Sequence, residues 1–258
     1  MSKPNIAQIY AEYIDHKNKE NVDARYSGEK RYFHASATGT CLRKHFFRIN
    51  GVEESDQSTL VSNRIMRLGT IVHNDYENAL KFQNEQKDKF IDNNNTINST
   101  IYSSNIELIS TEGEIQIPEF GVRGFYDAVF QMKTGEVYLY DFKTIRSYPY
   151  RMKFGRDKSN IAKDNDLHSQ QISTYGIAIE KEFGRLDGMF LYYYNKDSSV
   201  CKEVEVPLHY MDVARESWAE VQESCLGSVP PPVKVGSSPK FNWECKYCNF
   251  ITHCQETI

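Results

Sequence analysis

Two carboxylates and an amine carry the most chemistry in this sequence: Asp127, closing the run Gly124-Phe-Tyr-Asp127, then the triplet Asp141-Phe-Lys143. Carboxylates are hard oxygen ligands of the kind Mg²⁺ or Mn²⁺ prefers. An adjacent ammonium can orient a water and offset charge developing on a phosphorane. Both segments have strand-like composition, and residues two apart on a strand face the same way, which would aim Asp141 and Lys143 together. If the two strands are hairpin neighbours, Asp127 reaches the same ion, and the backbone carbonyl of Phe142 becomes a further ligand. Asp-x-Lys alone is common as a surface ion pair, so its weight comes from its company. Gly69-Thr-Ile-Val-His73 lies in a helical pattern and offers an imidazole, an acceptable Mn²⁺ ligand. Gln171 and Tyr175, at i and i+4 of a later helical pattern, share a face and could bond a phosphate or order Lys143.

A second set of chemically capable residues is sulfur. Cys245, Cys248 and Cys254 stand close together, and Cys41 lies about two hundred residues upstream. Three thiolates on a short loop plus a fourth from elsewhere satisfy either zinc or an iron–sulfur cluster. Local spacing does not separate the two, and His253 could replace a thiolate in a zinc site. Cys201 and Cys225 stand apart, and both are expected to be buried thiols.

The elements that must position these groups can be outlined from periodicity. Helices are expected over 5–20, 36–50 (carrying Cys41), 62–82, 166–182 and 208–224. Strands are expected over 106–117, 122–131, 136–142, 186–195 and 200–206, with a turn at Lys133-Thr-Gly135. The Asn-, Ser- and Lys-rich stretch 84–105 reads as a surface connection, and Pro230-Pro-Pro232 with Gly236-Ser-Ser-Pro239 as a linker into the cysteine tail. The sum is an α/β fold with a mixed sheet flanked by helices. One domain is expected, with a helical part over 1–83, a core over 106–224 and a tail over 225–258.

At 258 residues, 40% hydrophobic and 26% charged, the composition is that of a globular protein with a sizeable core. No apolar run is long enough to span a bilayer, and the first residues lack a signal-peptide layout. A cytoplasmic, reducing setting is therefore expected, where cysteines serve as thiols or metal ligands. The net charge of −4 argues against a general nucleic-acid binder, but its distribution matters more. From Lys143 to Lys163 seven basic residues face one acid, Asp157, with aromatic rings interleaved. Arg146, Arg151, Lys153, Arg156 and Lys158, together with Tyr148 and Tyr150, suit a single-stranded backbone with splayed bases.

Gly-x-x-x-His, Gly-x-x-Asp, Asp-x-Lys-Thr and Gln-x-x-x-Tyr, in that order over residues 69–175, resemble the RecB-type nucleases of the PD-(D/E)XK superfamily. The proline that names the superfamily is replaced by Tyr126. The resemblance implies a restriction-endonuclease-like fold and metal-dependent hydrolysis of DNA. His73, Asp127 and Asp141 would be metal ligands, Lys143 the catalytic lysine, and Gln171 and Tyr175 a supporting polar pair. An acid on the preceding strand is also implied, with Glu112 and Glu114 both available. Cys41 with the Cys-x2-Cys-x5-Cys tail extends the resemblance, to the iron–sulfur branch that includes the CRISPR-associated adaptation nucleases and the AddB nuclease domain. It implies a [4Fe–4S] cluster on Cys41, Cys245, Cys248 and Cys254, and a 5′→3′ exonuclease acting on single strands or duplex ends. Recombination or CRISPR-adaptation proteins are candidate partners, and a stand-alone phage enzyme is one setting. The alternatives are a non-cutting DNA-binding protein of the same fold and a zinc-stapled, structure-specific endonuclease.

Overall fold

The computed structural model describes residues 5–26, 31–56, 58–91, 106–155, 161–163, 166–232 and 244–256. Its framework is one six-stranded mixed sheet: β1 (Phe33–His34), β2 (Ile106–Ile117), β3 (Val122–Met132), β4 (Val137–Ile145), β5 (Gly188–Asn195) and β6 (Cys201–Val206). The helices are α1 (Ile6–Tyr26), α2 (Leu42–Ile49), α3 (Leu60–Ile91), α4 (Ser147–Phe154), α5 (Leu167–Phe183), α6 (Tyr210–Cys225) and α7 (Ile251–Glu256). The fold is the mixed α/β sheet with flanking helices that the sequence predicts.

Chain contacts divide the protein into two units. The larger comprises Phe33–Thr40 and Val72–Glu223 and holds the whole sheet. β2, β3 and β4 run antiparallel in sequence order, β5 lies parallel to β4, and β6 returns antiparallel to β5. The β3–β4 turn closes at Gly135, whose φ of +99° is open to glycine but strained for other residues. The parallel β4–β5 pair needs a crossover connection, which α4 and α5 supply. α5 lays Ile172, Tyr175 and Ile179, all buried, into the sheet core beside Leu139, Met189 and Leu191. Its end at Gly184, in the left-handed conformation, is a common helix stop. A buried hydroxyl chain ties other parts of this unit to α5: Trp218 Nε1 donates to Thr174 Oγ1 (3.0 Å), which lies 2.8 Å from Thr38 Oγ1.

The smaller unit comprises Met1–Tyr32, Cys41–Ile71 and Ser224–Ile258. Within it Phe47 packs on Phe250 at 5.6 Å, the Cys225 thiol donates to the Leu42 carbonyl, and Asp56 receives the Thr252 N–H and hydroxyl.

Four expectations change. The region 36–50 is a 3-10 turn (Ala35–Ala37) followed by α2, for which Cys41 is the N-cap residue. Helix α3 runs on to Ile91, because Gln, Glu and Lys are good helix formers even without an apolar face. β4 continues to Ile145, placing Lys143 inside the strand. Cys201 is exposed, because it opens the edge strand β6 at a position facing outward. Part of the 84–105 connection and Gly236–Pro239 lie outside the described residues.

Candidate active site

The register of the sheet puts three acids in one row. Thr111 pairs with Ala128 and Gly113 with Tyr126, so Glu112 stands opposite Asp127. The β3–β4 ladder ends at Ala128 and Tyr140, so Asp127 and Asp141 face each other just where it opens. There the Asp127 carboxylate takes the place of a ladder acceptor, receiving the Phe142 backbone N–H. His73, on α3, completes the group with Nε2 3.0 Å from Asp127 Oδ1 and 3.3 Å from Glu112 Oε1. One ligand atom each from His73, Glu112 and Asp127 lies within 4.8 Å of the others, close enough to hold a metal ion.

Of the two acids on β2, Glu112 is the one that stands with His73. Glu114 is turned to Arg123, accepting from Nε and Nη2 at 2.8 and 3.0 Å, whereas Glu112 meets His73. Its φ of +50° is unusual for a residue with a side chain. A non-glycine residue in this region costs on the order of 1–3 kcal/mol and persists only where its surroundings hold it. Beside it, a Cβ on Gly113 would fall 2.1 Å from the Tyr126 ring, so this position must lack one. The Tyr126 hydroxyl is 2.5 Å from Ser110 Oγ, which fixes the ring.

Asp141 is 1% exposed, and its Oδ2 lies 2.5 Å from Lys143 Nζ. Burial pushes its carboxyl up to about 7, with Lys143 opposing and Asp127 reinforcing the shift. Burial pulls the His73 imidazole down, but Asp127, then Glu112 and Asp141, more than offset this, and the net shift is upward. Both directions record one condition, an excess of negative charge in a dry place. His73 Nε2 and Asp141 Oδ2 are also buried without a well-formed hydrogen bond. Buried polar atoms whose contacts fall outside hydrogen-bond geometry, among clustered acids, fit a bound divalent cation with oxygen and imidazole ligands.

Gln171 and Tyr175 do meet, Gln171 Nε2 donating to the Tyr175 hydroxyl at 2.7 Å. Tyr175 is buried, and a Cβ on Gly124 would meet its ring at 2.9 Å and Ala35 at 2.6 Å. The glycine of the Gly-x-x-Asp motif thus admits the tyrosine of the Gln-x-x-x-Tyr motif.

The basic stretch after Lys143 is partly a helix, α4, rather than a loop. Its N-terminus is held by Asp197, which accepts the Ser147 N–H at 2.7 Å. Arg146, Tyr148 and Arg151 are exposed. Lys153 instead pairs with Asp166 and sits over the Phe154 and Tyr193 rings, which makes it an internal clamp. Tyr150 is half-buried with its ring against Phe154. Arg156 and Lys158 lie outside the described residues.

The sequence reading passed over His168 and Tyr193. Tyr193 is the register partner of Lys143, and His168 Nδ1 lies 3.0 Å from its hydroxyl. The available signal was His168 standing one turn before Gln171 on α5.

In the smaller unit, Cys41, Cys245, Cys248 and Cys254 are all partly exposed and none is in a disulfide. The Cys41 N–H donates to Glu244 Oε1 at 3.2 Å, joining the first thiol to the tail. Burial pushes the Cys41 thiol up, with the Glu244 and Cys254 charges adding to it. Burial likewise raises Cys245, with Cys248 and Cys254 adding, and Cys254, where Arg43 opposes and Cys248 adds. All four thiols therefore stand within electrostatic reach of another.

No curated protein matches this chain in sequence. The fold is similar to the crystal structure of SSO0001, at 20% identity and a TM-score of 0.55, covering 97% of this chain and 98% of that one. A looser likeness is to an alkaline exonuclease, LHK-Exo, from Laribacter hongkongensis (14% identity, TM-score 0.39, 80% of this chain and 91% of that). A third is to LHK-Exo in complex with dAMP (15% identity, TM-score 0.37, 74% and 86%). The sequence profile described as the PD-(D/E)XK nuclease superfamily matches residues 95–255, more than half of the chain and the span that carries Glu112, Asp127, Asp141 and Lys143. The chain belongs to the PD-(D/E)XK nuclease superfamily.

Proposed function

We propose that this protein is a Mg²⁺- or Mn²⁺-dependent DNA exonuclease that works 5′→3′ on single strands or duplex ends. The observation that carries the reading is the row Glu112, Asp127 and Asp141 with His73 at one end and Lys143 beside it. His73, Glu112, Asp127 and Asp141 would hold the ion, with the Phe142 carbonyl as a further ligand. When bound, a divalent cation supplies Lewis-acid charge to the scissile phosphate and a water of lowered pKa.

The chain's own groups do the rest. Lys143, anchored on Asp141, orients the attacking water and offsets charge on the phosphorane oxygens. Gln171 and Tyr175, bonded to each other on α5 with the Tyr175 ring seated on Gly124 of β3, form the supporting polar pair. Arg146, and Tyr148 and Arg151 on α4, receive the strand by phosphate contact and stacking; the sequence pattern adds Tyr150, Arg156 and Lys158 as expected contacts. Polarity and strand preference rest on the family resemblance, as do partners in recombination or CRISPR adaptation.

We further read Cys41, Cys245, Cys248 and Cys254 as the ligands of a structural [4Fe–4S] cluster. What supports this is four thiols in one unit, none of them in a disulfide, each within reach of another's charge and brought from segments about two hundred residues apart. Thiolates suit iron–sulfur chemistry, and such a group would close a very long loop.

The test is cleavage of 5′- and 3′-labelled linear single strands by anaerobically purified protein in Mn²⁺, with Lys143→Ala alongside. Metal-dependent laddering by the wild type alone is expected, and the label that ladders sets the polarity. Tight binding without cleavage in any divalent metal would replace this reading with a DNA-binding role.

A further inference from the structure

His168 is joined through Tyr193 to the strand position of Lys143, and nothing in the motif assigns it a role. It lies on α5 three residues before Gln171, so both side chains leave the same face of the helix. Its Nδ1 is engaged by the Tyr193 hydroxyl at 3.0 Å. Tyr193 is fully buried on β5 and is the register partner of Lys143 on β4, so the two side chains stand side by side on the sheet. Tyr193 is itself fixed by the Phe154 ring at 5.0 Å and by Lys153, which pairs with Asp166 at the start of α5. The imidazole thus has one nitrogen locked to a rigid support. Among the described residues, no group bonds the other nitrogen, Nε2.

The hydroxyl contacts suggest which nitrogen carries the proton. Tyr193 Oη is 3.0 Å from His168 Nδ1 and 3.5 Å from Asp166 Oδ2, an oxygen that already accepts from Lys153 Nζ and Ser169 Oγ, so the hydroxyl proton is assigned here to Nδ1. The ring proton then sits on Nε2, as a donor. Burial, with the Lys143 charge pushing the same way and Asp166 opposing, pulls the imidazole down to about 3 and keeps the ring uncharged. A neutral N–H donor set among lysines, with no acceptor among the described residues, matches an anion brought by the ligand.

We propose that His168 is a further catalytic residue that donates from Nε2 to a non-bridging oxygen of the scissile phosphate, beside Lys143. The proposal rests on the nuclease reading above. It gives the substrate phosphate two different donors, an ammonium at Lys143 and an uncharged N–H at His168. It also assigns the α4 clamp a task, because Lys153, Phe154 and Asp166 hold the Tyr193–His168 pair in place.

The two nitrogens can be tested separately, because a Gln amide reaches the position of Nε2 and an Asn amide that of Nδ1. Cleavage of labelled single strands by His168→Gln and His168→Asn is compared under the conditions in which the wild type cleaves. His168→Gln is expected to exceed His168→Asn in kcat/KM by about tenfold or more, the worth of one hydrogen bond to a charged group. A ratio near one, or below it, overturns the proposal, since a purely structural histidine acting through Tyr193 favours Asn. On the wild-type protein without metal, the ¹⁵N resonance of His168 Nε2 should move on adding a 5′-phosphorylated dinucleotide. No movement at saturation also overturns it, whatever the variants do. A wild type that cleaves nothing sinks the nuclease reading itself, and is thereby distinguishable.

Discussion

Glu112 should be a residue whose removal makes the metal-free protein more stable and the enzyme inactive. Its backbone sits at φ +50°, a strain of about 1–3 kcal/mol for a residue with a Cβ. Glycine removes that strain, at an entropic cost of roughly 0.5–1 kcal/mol in a strand. Loss of the carboxylate also relieves its repulsion with Asp127, which stands opposite in the register. Against this, the 3.3 Å contact to His73 is lost, worth under about 1 kcal/mol between partly exposed groups. The balance for Glu112→Gly is a gain of about 1 kcal/mol, or roughly 2–4 °C in Tm for a chain of this size. Glu112→Gln is the control, because it removes the charge and keeps the strained backbone. Thermal melts in chelator should rank Gly above Gln, with both variants failing to cleave DNA in Mg²⁺. The reasoning is refuted if Gly melts no higher than Gln, or if Glu112→Gly cleaves like the wild type.

Lys143→Ala should lower cleavage by on the order of 10²–10³-fold, with circular dichroism and melting close to wild type. Gly124→Ala should lose stability by about 1–3 kcal/mol, because its methyl meets Tyr175 and Ala35 inside contact distance. Cleavage should fall with it, and an unchanged Tm would contradict the packing argument. The buried Asp141 carboxyl has its pKa raised to about 7, so its contribution to metal-free stability is complete below the ordinary carboxylate range and is lost as pH rises through 7. Asp141→Asn should therefore gain in Tm over the wild type between pH 5 and pH 8 in chelator, and equal gains at both pH values would contradict the assignment. Cys41→Ser should lower the iron content and visible absorbance of anaerobically purified protein, whereas unchanged iron would remove Cys41 from the ligand set.

Strands β2 to β6 of the larger unit were legible because each carries its own alternation. β2 to β6 and α5 fall within a few residues of where hydrophobic periodicity predicts them. Elements whose stability comes from distant partners were not legible. Phe33–His34 is a strand only because it pairs with Val122 and Arg123. Helix α4 buries no side chain, so it shows no apolar stripe, and Pro149 reads as a breaker although the first helical turn tolerates it. The acids and lysine that the register brings together stand in motifs whose order is readable in the chain. The choice between Glu112 and Glu114 was not, since residues two apart on a strand share a face and only the left-handed backbone at 112 separates them. Lys153 read as a DNA contact because its charge is local in sequence, whereas its partner Asp166 lies beyond the end of α4.

The discontinuous make-up of the smaller unit has a consequence for synthesis. The larger unit draws almost all of its residues from one stretch, Val72–Glu223, so it can form while the chain is still emerging. Helix α2 cannot gain its partners then, because Glu244, which meets the Cys41 N–H, is translated 203 residues after it, and Phe250, which meets Phe47, later still. At roughly 5–20 residues per second, Cys41 waits some tens of seconds as an open thiol before its counterparts leave the ribosome. A nascent chain arrested before residue 244 should therefore carry a formed nuclease sheet and an N-terminal segment still sensitive to protease and to thiol reagents.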